Sequence, residues 1–224
     1  MCGRFTLTAT FEQLIDRFDI ASFVLDEDYS PNYNVAPSQS VIAVLNNGSI
    51  NKMGYLKWGL IPPWAKDPKI GYKMINARAE TLAEKPSYRN AYRRKRCLIV
   101  ADSFYEWKRD EQKHKTPMRI KLKSNDLFAM AGLWEKWTSA DGQSIFSCTV
   151  VTTKANELVH EIHERMPVIL KPEDEKIWLN PKSTLNDLNH LLQPLDRELM
   201  EAYEVSSLVN SPKNNSAELI QEVC

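Results

Sequence analysis

Apolar residues recur along this chain at two spacings, one typical of a helix and one typical of strands. Near the start, Phe11, Leu14, Ile15 and Phe18 follow the helical spacing, and Thr8 or Thr10 can cap that helix. The middle of the chain is dominated by short apolar, β-branched and aromatic runs, which predict strands. Those strands are predicted at 97–101, 104–108, 117–123, 127–134 and 145–153.

The remaining segments predict a loop, a hairpin and further helices. We expect a loop over 32–37, followed by a β-hairpin of residues 41–45 and the stretch after Asn46, Asn47 and Gly48. Helices are predicted around 87–95, 154–159, 172–179 and 184–192, and Pro172 suits a helix start. Because helices interrupt the strands without alternating regularly with them, the pattern favours an α+β fold. We expect one compact domain over 1–224, with 220–224 as a polar tail.

Composition narrows the function classes only slightly. Hydrophobic residues make up 43% of the 224 residues, and 29 basic and 29 acidic side chains give zero net charge. Any contact with an anionic polymer must therefore come from a local patch. The start of the chain has no apolar signal region, and no stretch approaches the roughly 18 apolar residues of a membrane span. We expect a cytoplasmic protein.

Cysteine and histidine spacing argues against a metal site or a disulfide framework. The four cysteines lie far apart and form no CxxC pair. Cys97 and Cys148 fall in strand-like runs and are expected to be buried, whereas Cys224 is expected to be inert. His160 and His163 are one helical turn apart, but HEIHE is not HExxH and no cysteine or carboxylate cluster completes a site. We expect neither metal nor cofactor.

Cys2 carries the most distinctive chemistry in the chain. It follows the initiator Met1, and its side chain is small enough for methionine-removing enzymes to accept. Loss of Met1 would place a thiol beside a free α-amine, whose pKa of about 7.7–8.0 leaves much of it neutral near pH 7. The amine can condense with an aldehyde, and the thiol can then close a thiazolidine ring at high effective molarity. The alternative is that Cys2 is an ordinary strand residue.

Three polar residues stand out within otherwise core-like segments: Asn76, Glu106 and His163. Strand alternation puts Glu106 on the same face as Phe104, so it is expected to point inward, where a carboxylate tends to have a raised pKa suited to proton transfer. The alternative is a solvated Glu106 paired with Lys108. His163 is a candidate proton shuttle or phosphate contact, or else a surface histidine.

Arginine and tryptophan residues supply candidate nucleic-acid contacts. Arg4, Arg78 and Arg165 lie beside the three polar residues, and a guanidinium suits bidentate phosphate recognition. The stiff segment WGLIPPWA at 58–65 would stack on bases if exposed, or belong to the core if buried. In RNAYRRKR we expect Arg89, Arg93 and Arg96 to share a solvated helical face, outside the site.

Seven segments form a distinctive ordered set: MCGRF at 1–5, YNVAP at 33–37, WGLIPPWA at 58–65, NARAET at 76–81, FYEWK at 104–108, IHERMPVIL at 162–170 and NSAELI at 215–220. Taken together and in this order, they resemble the SRAP family of SOS-response-associated peptidases, which are abasic-site processing proteins. Two positions depart from the family pattern: Ser103 stands where Gly is common, and Glu164 stands where Asp is usual.

The resemblance implies an α+β domain with a β-barrel-like core and a basic groove for single-stranded DNA. It implies that Cys2 forms a thiazolidine cross-link with the opened sugar of an abasic site and so shields the strand from cleavage. Asn76, Glu106 and His163 would support that reaction. The implied DNA contacts are Arg4, Asn34, Pro63, Trp64, Arg78 and Arg165, with Pro63 and Trp64 separating strands and Asn34 close to the terminus.

The resemblance leaves several points as expectations. We expect a monomer that is located with the nucleoid when it is bound to DNA. We also expect lyase-type imine chemistry. Met1 is expected to be removed by hydrolysis, either by the protein itself or by an aminopeptidase. Two other functions stay open. One is an N-terminal-nucleophile amidohydrolase that uses the same thiol, and the other is a non-catalytic single-strand binding module that does not need Cys2.

Overall fold

The structure is a computed structural model that describes residues 2–24 and 29–223. The predictions for Met1 and Cys224 therefore lie outside the described residues. Within the described part of the chain, no helix has the length and apolar character needed to cross a membrane.

Fourteen strands make up most of the regular structure in the described ranges. In chain order they are β1 (Phe5–Leu7), β2 (Ile20–Val24), β3 (Asn32–Val35), β4 (Ser40–Asn46), β5 (Asn51–Trp58), β6 (Asn76–Arg78), β7 (Arg96–Ala101), β8 (Ser103–Arg109), β9 (Lys115–Leu122), β10 (Phe128–Thr138), β11 (Ser144–Lys154), β12 (Arg165–Pro167), β13 (Ile169–Leu170) and β14 (Met200–Glu204).

Short helices connect or cover these strands. The α-helices are α1 (Phe11–Phe18), α2 (Arg89–Arg94), α3 (Glu157–His160), α4 (Pro172–Leu179) and α5 (Leu185–His190). Single-turn 3₁₀ helices are found at Pro68–Lys73, Ala79–Thr81, Arg197–Leu199, Ser207–Asn210 and Ala217–Ile220.

Five strands of the larger sheet close into a ring. Each of the pairs β11–β10, β10–β7, β7–β4 and β4–β5 is antiparallel, and β5 returns parallel to β11. Antiparallel pairing alone cannot close a ring with an odd number of strands, so one parallel pair is required. Strands β6 and β12 extend the sheet beside β11. The predicted α+β fold with a barrel-like core is confirmed.

A second, antiparallel sheet carries the start of the chain. Its order is β14-β9-β8-β1-β3, so β1 lies between β8 and β3. The register places Phe5 opposite Phe104 and Thr6 opposite Ser103. Because the strands run in opposite directions, the residues before Phe5 lie alongside those after Phe104.

Four strands of the ring, β4, β7, β10 and β11, have stretches that are buried on both faces, which explains their nearly continuous apolar runs, whereas β5 is partly exposed. In β4, Val41 and Ala43 pack into one cluster with Trp58, whereas Ile42 and Val44 pack into another. The first cluster also contains Cys2, Phe5 and Phe104, and the second contains side chains of α1, α4 and α5. Cys2 is therefore anchored in the same apolar cluster as side chains of the ring.

The predicted elements are largely confirmed, with local corrections. Thr10, rather than Thr8, caps α1 through a reciprocal pair of hydrogen bonds with Gln13, and α4 begins at Pro172. The predicted loop over 32–37 is wrong in its first half, because Asn32–Val35 forms β3 against β1. Pairing with a distant strand decides this segment, and local sequence does not report it.

Arg96 is a second correction. It is buried in β7 and does not share a solvated helical face with Arg89 and Arg93. Its guanidinium donates to the carbonyls of four residues, at 2.6–2.8 Å: Tyr92, Arg93, Trp178 and Asn180. These contacts join α2 to the end of α4, so Arg96 has a structural task.

The last described residues are tied to the domain. Leu219 is buried beside Tyr105 and Val205, and Val205 forms a bridge with Glu222. The backbone N–H of Val223 donates to the carbonyl of Glu204 at 3.0 Å. Within the predicted polar tail, residues 220–223 are therefore paired with the rest of the fold.

Candidate active site and nucleic-acid interface

Cys2 lies beside β8 because of the register between β1 and β8. The backbone N–H of Tyr105 donates to the carbonyl of Arg4 at 2.9 Å, which continues the pairing beyond Phe5. Cys2 is fully buried and is a free thiol. Burial, assisted by the nearby Glu106 carboxylate, raises the pKa of the Cys2 thiol well above its usual range. The thiol is therefore protonated at neutral pH.

Asn76 makes direct contact with Cys2. Its side-chain Nδ2 donates to the Cys2 carbonyl at 2.7 Å. The other polar atom, Oδ1, is buried without a hydrogen-bond partner. A buried acceptor with no partner costs free energy in the resting protein, so the site contains an unused position for a donor. Asn76 is held by β6, which pairs with β11, and by Tyr88, whose hydroxyl donates to the Asn76 carbonyl at 3.3 Å.

Glu106 points into the protein, as predicted, and is buried together with Phe104. Burial raises the pKa of its carboxyl group above the usual value, while the charge of a protonated His163 acts in the opposite direction. The result is a carboxyl group that takes and returns a proton more readily near neutral pH. Glu106 is close enough to influence both Cys2 and His163.

His163 lies in the turn between α3 and β12. The turn is built by Asn156, which caps α3 by accepting from the backbone N–H of Val159 at 2.9 Å, and by the His163 N–H, which donates to the Val159 carbonyl at 2.7 Å. The backbone N–H of Arg165 donates to His163 Nδ1 at 3.0 Å. Because a backbone N–H can only donate, Nδ1 accepts and the proton of the neutral ring is on Nε2.

The structure thus brings together the four predicted catalytic residues from three places in the fold. Cys2 and Glu106 come from the antiparallel sheet, Asn76 comes from β6, and His163 comes from the turn before β12. Strands β6 and β12 both pair with β11, so Asn76 and the turn that holds His163 are attached to the same strand.

 The pairing of both strands with β11, and not closeness in sequence, is what brings these two side chains to one site.

Arg4 and Asn34 form a unit beside the catalytic residues. Arg4 Nη1 donates to Asn34 Oδ1 and to the Val209 carbonyl, both at 2.7 Å. Asn34 Nδ2 in turn donates to carbonyls of the 207–214 segment, including Ser211 at 2.9 Å. Asn34 is only 1% exposed, and its side chain holds Arg4 in place; its predicted contact with DNA stays a prediction.

Arg78 and Arg165 flank the last residues of β11. Arg78 ends β6 opposite Thr152 and is exposed, whereas Arg165 begins β12 opposite Lys154 and is mostly covered. The guanidinium of Arg165 forms a bidentate ion pair with Glu80, with N···O distances of 2.5 and 3.0 Å. Arg78 is thus open to a ligand, whereas the guanidinium edge of Arg165 is already occupied by the Glu80 carboxylate.

The WGLIPPWA segment contains both a core tryptophan and an exposed one. Trp58 is fully buried, and its Nε1 donates to the Ile75 carbonyl at 2.9 Å, next to Asn76. Gly59 has φ +129°, and a Cβ there would lie 2.6 Å from the Gly71 carbonyl oxygen, so only glycine fits. Pro63 and Trp64 project from this anchored loop, and Trp64 is 58% exposed.

Sequence reasoning missed the residues that hold the predicted ones in place. Glu80 and Thr152 orient Arg165, and Tyr88 supports Asn76. Glu80 had a signal, since it lies two positions after Arg78 within NARAET. Thr152 and Tyr88 had none, because both lie in ordinary strand and helix-flanking segments.

Comparison with known proteins identifies the family to which the chain belongs. The family model described as "SOS response associated peptidase (SRAP)" matches residues 1–212. The chain belongs to the SRAP family. The resemblance inferred from the seven sequence segments is therefore confirmed.

Individual SRAP relatives extend the match over the whole chain. The chain is 63% identical over 222 residues to "Abasic site processing protein YoqW" of Bacillus subtilis (strain 168), covering 99% of each. It is 29% identical to "Abasic site processing protein HMCES" of Xenopus tropicalis, covering 88% of this chain and 68% of that protein. A crystal structure of a protein from Bacteroides thetaiotaomicron superposes with a TM-score of 0.90 at 29% identity, covering 100% of each chain.

Proposed function

We propose that this protein processes abasic sites by capturing them covalently in single-stranded DNA through Cys2. The observation that carries the proposal is that Asn76 bonds Cys2 directly, while Glu106 interacts electrostatically with both Cys2 and His163. The name of the Bacillus subtilis relative, which matches from end to end, supports abasic DNA as the substrate. No cofactor is needed for this chemistry.

The first step is attack by the α-amine of Cys2 once Met1 has been removed. The amine nitrogen forms a bond to C1′ of the ring-opened deoxyribose, and loss of one water gives an imine. Glu106 takes the proton from the attacking amine and returns it to the departing hydroxyl. The raised pKa of the Glu106 carboxyl suits it to both transfers.

The second step is addition of the Cys2 thiol across the imine. The sulfur forms a bond to C1′, and the thiol proton ends on the nitrogen, which closes the thiazolidine ring. Because the pKa of the thiol is raised, it does not act as a preformed thiolate, and a base must assist it. Glu106 is the charged group that acts most directly on this thiol.

Asn76 and His163 assist in different ways. Asn76 fixes the Cys2 carbonyl by donating a hydrogen bond to it. Its unpartnered Oδ1 accepts a hydrogen bond from the amine or from a sugar hydroxyl. His163 presents an Nε2–H and serves as a second acid, most important for interconversion or release of the imine.

Ring closure determines the fate of the DNA strand. An open imine acidifies C2′ and promotes β-elimination with strand cleavage, which would be lyase activity. A saturated thiazolidine does not, so the finished adduct protects the strand. Removal of Met1, by the protein itself or by an aminopeptidase, is the hydrolytic event that exposes the amine.

The DNA strand is held by residues around the catalytic group. Arg4, positioned by Asn34, and the exposed Arg78 contact phosphates, and Pro63 and Trp64 pack against bases and separate strands. Such contacts read no sequence, which suits a protein that recognises a lesion. One monomer supplies every group in this scheme.

Replacing Trp64 with alanine should weaken binding of undamaged single-stranded DNA by about 1 to 3 kcal/mol, since base–aromatic stacking is lost. Folding stability should change little, because Trp64 is 58% exposed. Fluorescence anisotropy with a labelled oligonucleotide measures the change. Phe23→Ala is the matched control, since Phe23 is 51% exposed on the outer strand β2, and it should bind as the wild type does. Equal affinities for Trp64→Ala and wild type would rule out the stacking contact.

Intact mass spectrometry of the protein with an abasic single-stranded oligonucleotide tests the proposal directly. The expected species is the protein without Met1 plus the oligonucleotide minus one water. An oligonucleotide whose abasic sugar has been reduced has no aldehyde and should give no adduct. Absence of any adduct, or turnover of amides with indifference to aldehydes, would favour the amidohydrolase alternative.

A further inference from the structure

The ion pair between Arg165 and Glu80 uses most of the donors that Arg165 has. Nη1 and Nη2 donate to the two carboxylate oxygens, and Nη2 also donates to the Thr152 carbonyl at 2.6 Å. Nε is buried with no partner. The planar edge that a phosphate would approach is therefore covered by a carboxylate.

The two partners differ in how firmly the fold holds them. The side chain of Arg165 is 14% exposed and is fixed by Thr152 within the sheet, whereas that of Glu80 is 44% exposed. Glu80 lies in the 3₁₀ turn Ala79–Thr81 and can rotate into water while Arg165 stays in place. The hydrogen bonds from Arg165 also lower the pKa of the Glu80 carboxyl group, so Glu80 is anionic at neutral pH.

Carboxylate and phosphate both accept two parallel N–H bonds from a guanidinium. The location of the pair matters as well, because Arg165 is two residues from His163 and Glu80 is two residues from the exposed Arg78. The pair therefore adjoins residues of the proposed DNA-binding site. A backbone phosphate there would compete with Glu80 for the same pair of Arg165 N–H donors.

We propose that Glu80 occupies the phosphate-binding edge of Arg165 in the free protein and is displaced by a DNA phosphate. This inference rests on the proposed function, since it concerns the strand that presents the abasic site. The Arg165–Glu80 ion pair must break each time DNA binds, so Glu80 lowers the affinity for every strand equally. Undamaged strands then dissociate readily, and strands with an abasic site are retained by the covalent bond.

The variant Glu80→Gln tests the inference because it keeps the size of the side chain and removes its charge. We expect it to bind undamaged single-stranded DNA about fivefold more tightly at low salt, the equivalent of an exposed ion pair of about 1 kcal/mol. The slope of log affinity against log salt should stay close to the wild-type slope, because Arg165 neutralises the same phosphate in both proteins once Glu80 is displaced. Anisotropy titrations at several salt concentrations measure both.

Two control variants separate this role from a general charge effect. Glu201 forms a similar ion pair with Lys121 across β9 and β14: the carboxylate side chain is 42% exposed and the lysine side chain 12%. Glu201→Gln removes the negative charge from that pair. It should leave affinity and salt slope unchanged. Glu80→Asp keeps the charge and should bind close to wild type. Affinity for Glu80→Gln that equals or falls below the wild-type value would overturn the inference.

Two further measurements keep the result decisive. If Glu80→Gln does not fold, the carboxyl carbon of Glu80 in the wild type is followed by NMR, with its signal assigned by comparison with Glu80→Asp. Undamaged DNA should move that signal toward the position of a free carboxylate, and an unchanged signal overturns the inference. Adduct formation by the wild type on abasic DNA is recorded in parallel, since its absence refutes the proposed function and not the role of Glu80.

Discussion

Replacing Cys2 with alanine is expected to eliminate the stable adduct with abasic single-stranded DNA. The variant keeps an α-amine but has no thiol, so the imine cannot close to a thiazolidine. The effective molarity of a well-placed intramolecular group is at least about 10⁵ M, and no thiol in solution replaces it. The adduct yield should fall by at least about 10³-fold, and the strand should instead be cleaved through the open imine. Denaturing gels and intact masses record both products.

Cys148→Ala is the control for loss of a buried thiol. Cys148 is fully buried in the same apolar cluster as Cys2, and its thiol pKa is also raised by burial. This variant should lose some stability, as expected when a buried group is truncated, yet form the adduct normally. A stable adduct in Cys2→Ala would contradict the mechanism, and unchanged DNA affinity with no adduct in any variant would support the binding-module alternative.

Replacing Glu106 with glutamine is expected to slow adduct formation by about 10² to 10⁴-fold, the usual contribution of a general acid–base group. Glutamine has nearly the same shape but cannot accept and return a proton. Single-turnover kinetics on abasic DNA measure the rate, and anisotropy on undamaged DNA should show little change. A rate equal to that of the wild type would exclude Glu106 as the proton carrier.

The same substitution should stabilise the fold, with a pH dependence that follows from the raised pKa. Burial raises the pKa of Glu106 in the native state, so the native protein holds this proton more tightly than the unfolded chain does. Below the unfolded pKa of about 4.3, both states are protonated and the substitution has its smallest effect. As the pH rises through the native pKa, the wild type loses this stability and Glu106→Gln does not.

Thermal unfolding of both proteins between acidic and neutral pH checks the sign. The difference in Tm should grow with pH in favour of Glu106→Gln. Glu135→Gln is an informative comparison, because Glu135 is equally buried but pairs with Lys95 at 2.5 Å. Removing its charge leaves the Lys95 ammonium without an anionic partner and should destabilise the protein. A Tm difference for Glu106→Gln that shrinks as pH rises would contradict the raised pKa.

Local sequence was a good guide wherever an element is specified by its own residues. The capping pair at Thr10, the proline at the start of α4 and the apolar runs of β7, β10 and β11 were all predictable. Strand β3 was not, because its four residues become a strand only by pairing with β1. The inward direction of Glu106 followed from strand alternation in β8.

The candidate site was predictable as a set of residues but not as an arrangement. Cys2, Asn76, Glu106 and His163 were singled out because polar or reactive groups in core-like segments are unusual. The burial of Asn34 and the ion pair of Arg165 with Glu80 could not be predicted from sequence, since each depends on a partner far along the chain.

The sequence by itself determined the family, the α+β class and the chemistry that an aminothiol at Cys2 makes available, because those depend on residue identity and short-range periodicity. Only the tertiary structure decided which groups meet. The register of β1 against β8 and the pairing of β6 and β12 with β11 bring distant side chains within contact. Burial and neighbouring charge, which shift the pKa of Cys2 and Glu106 and place Glu80 on Arg165, exist only in the folded chain.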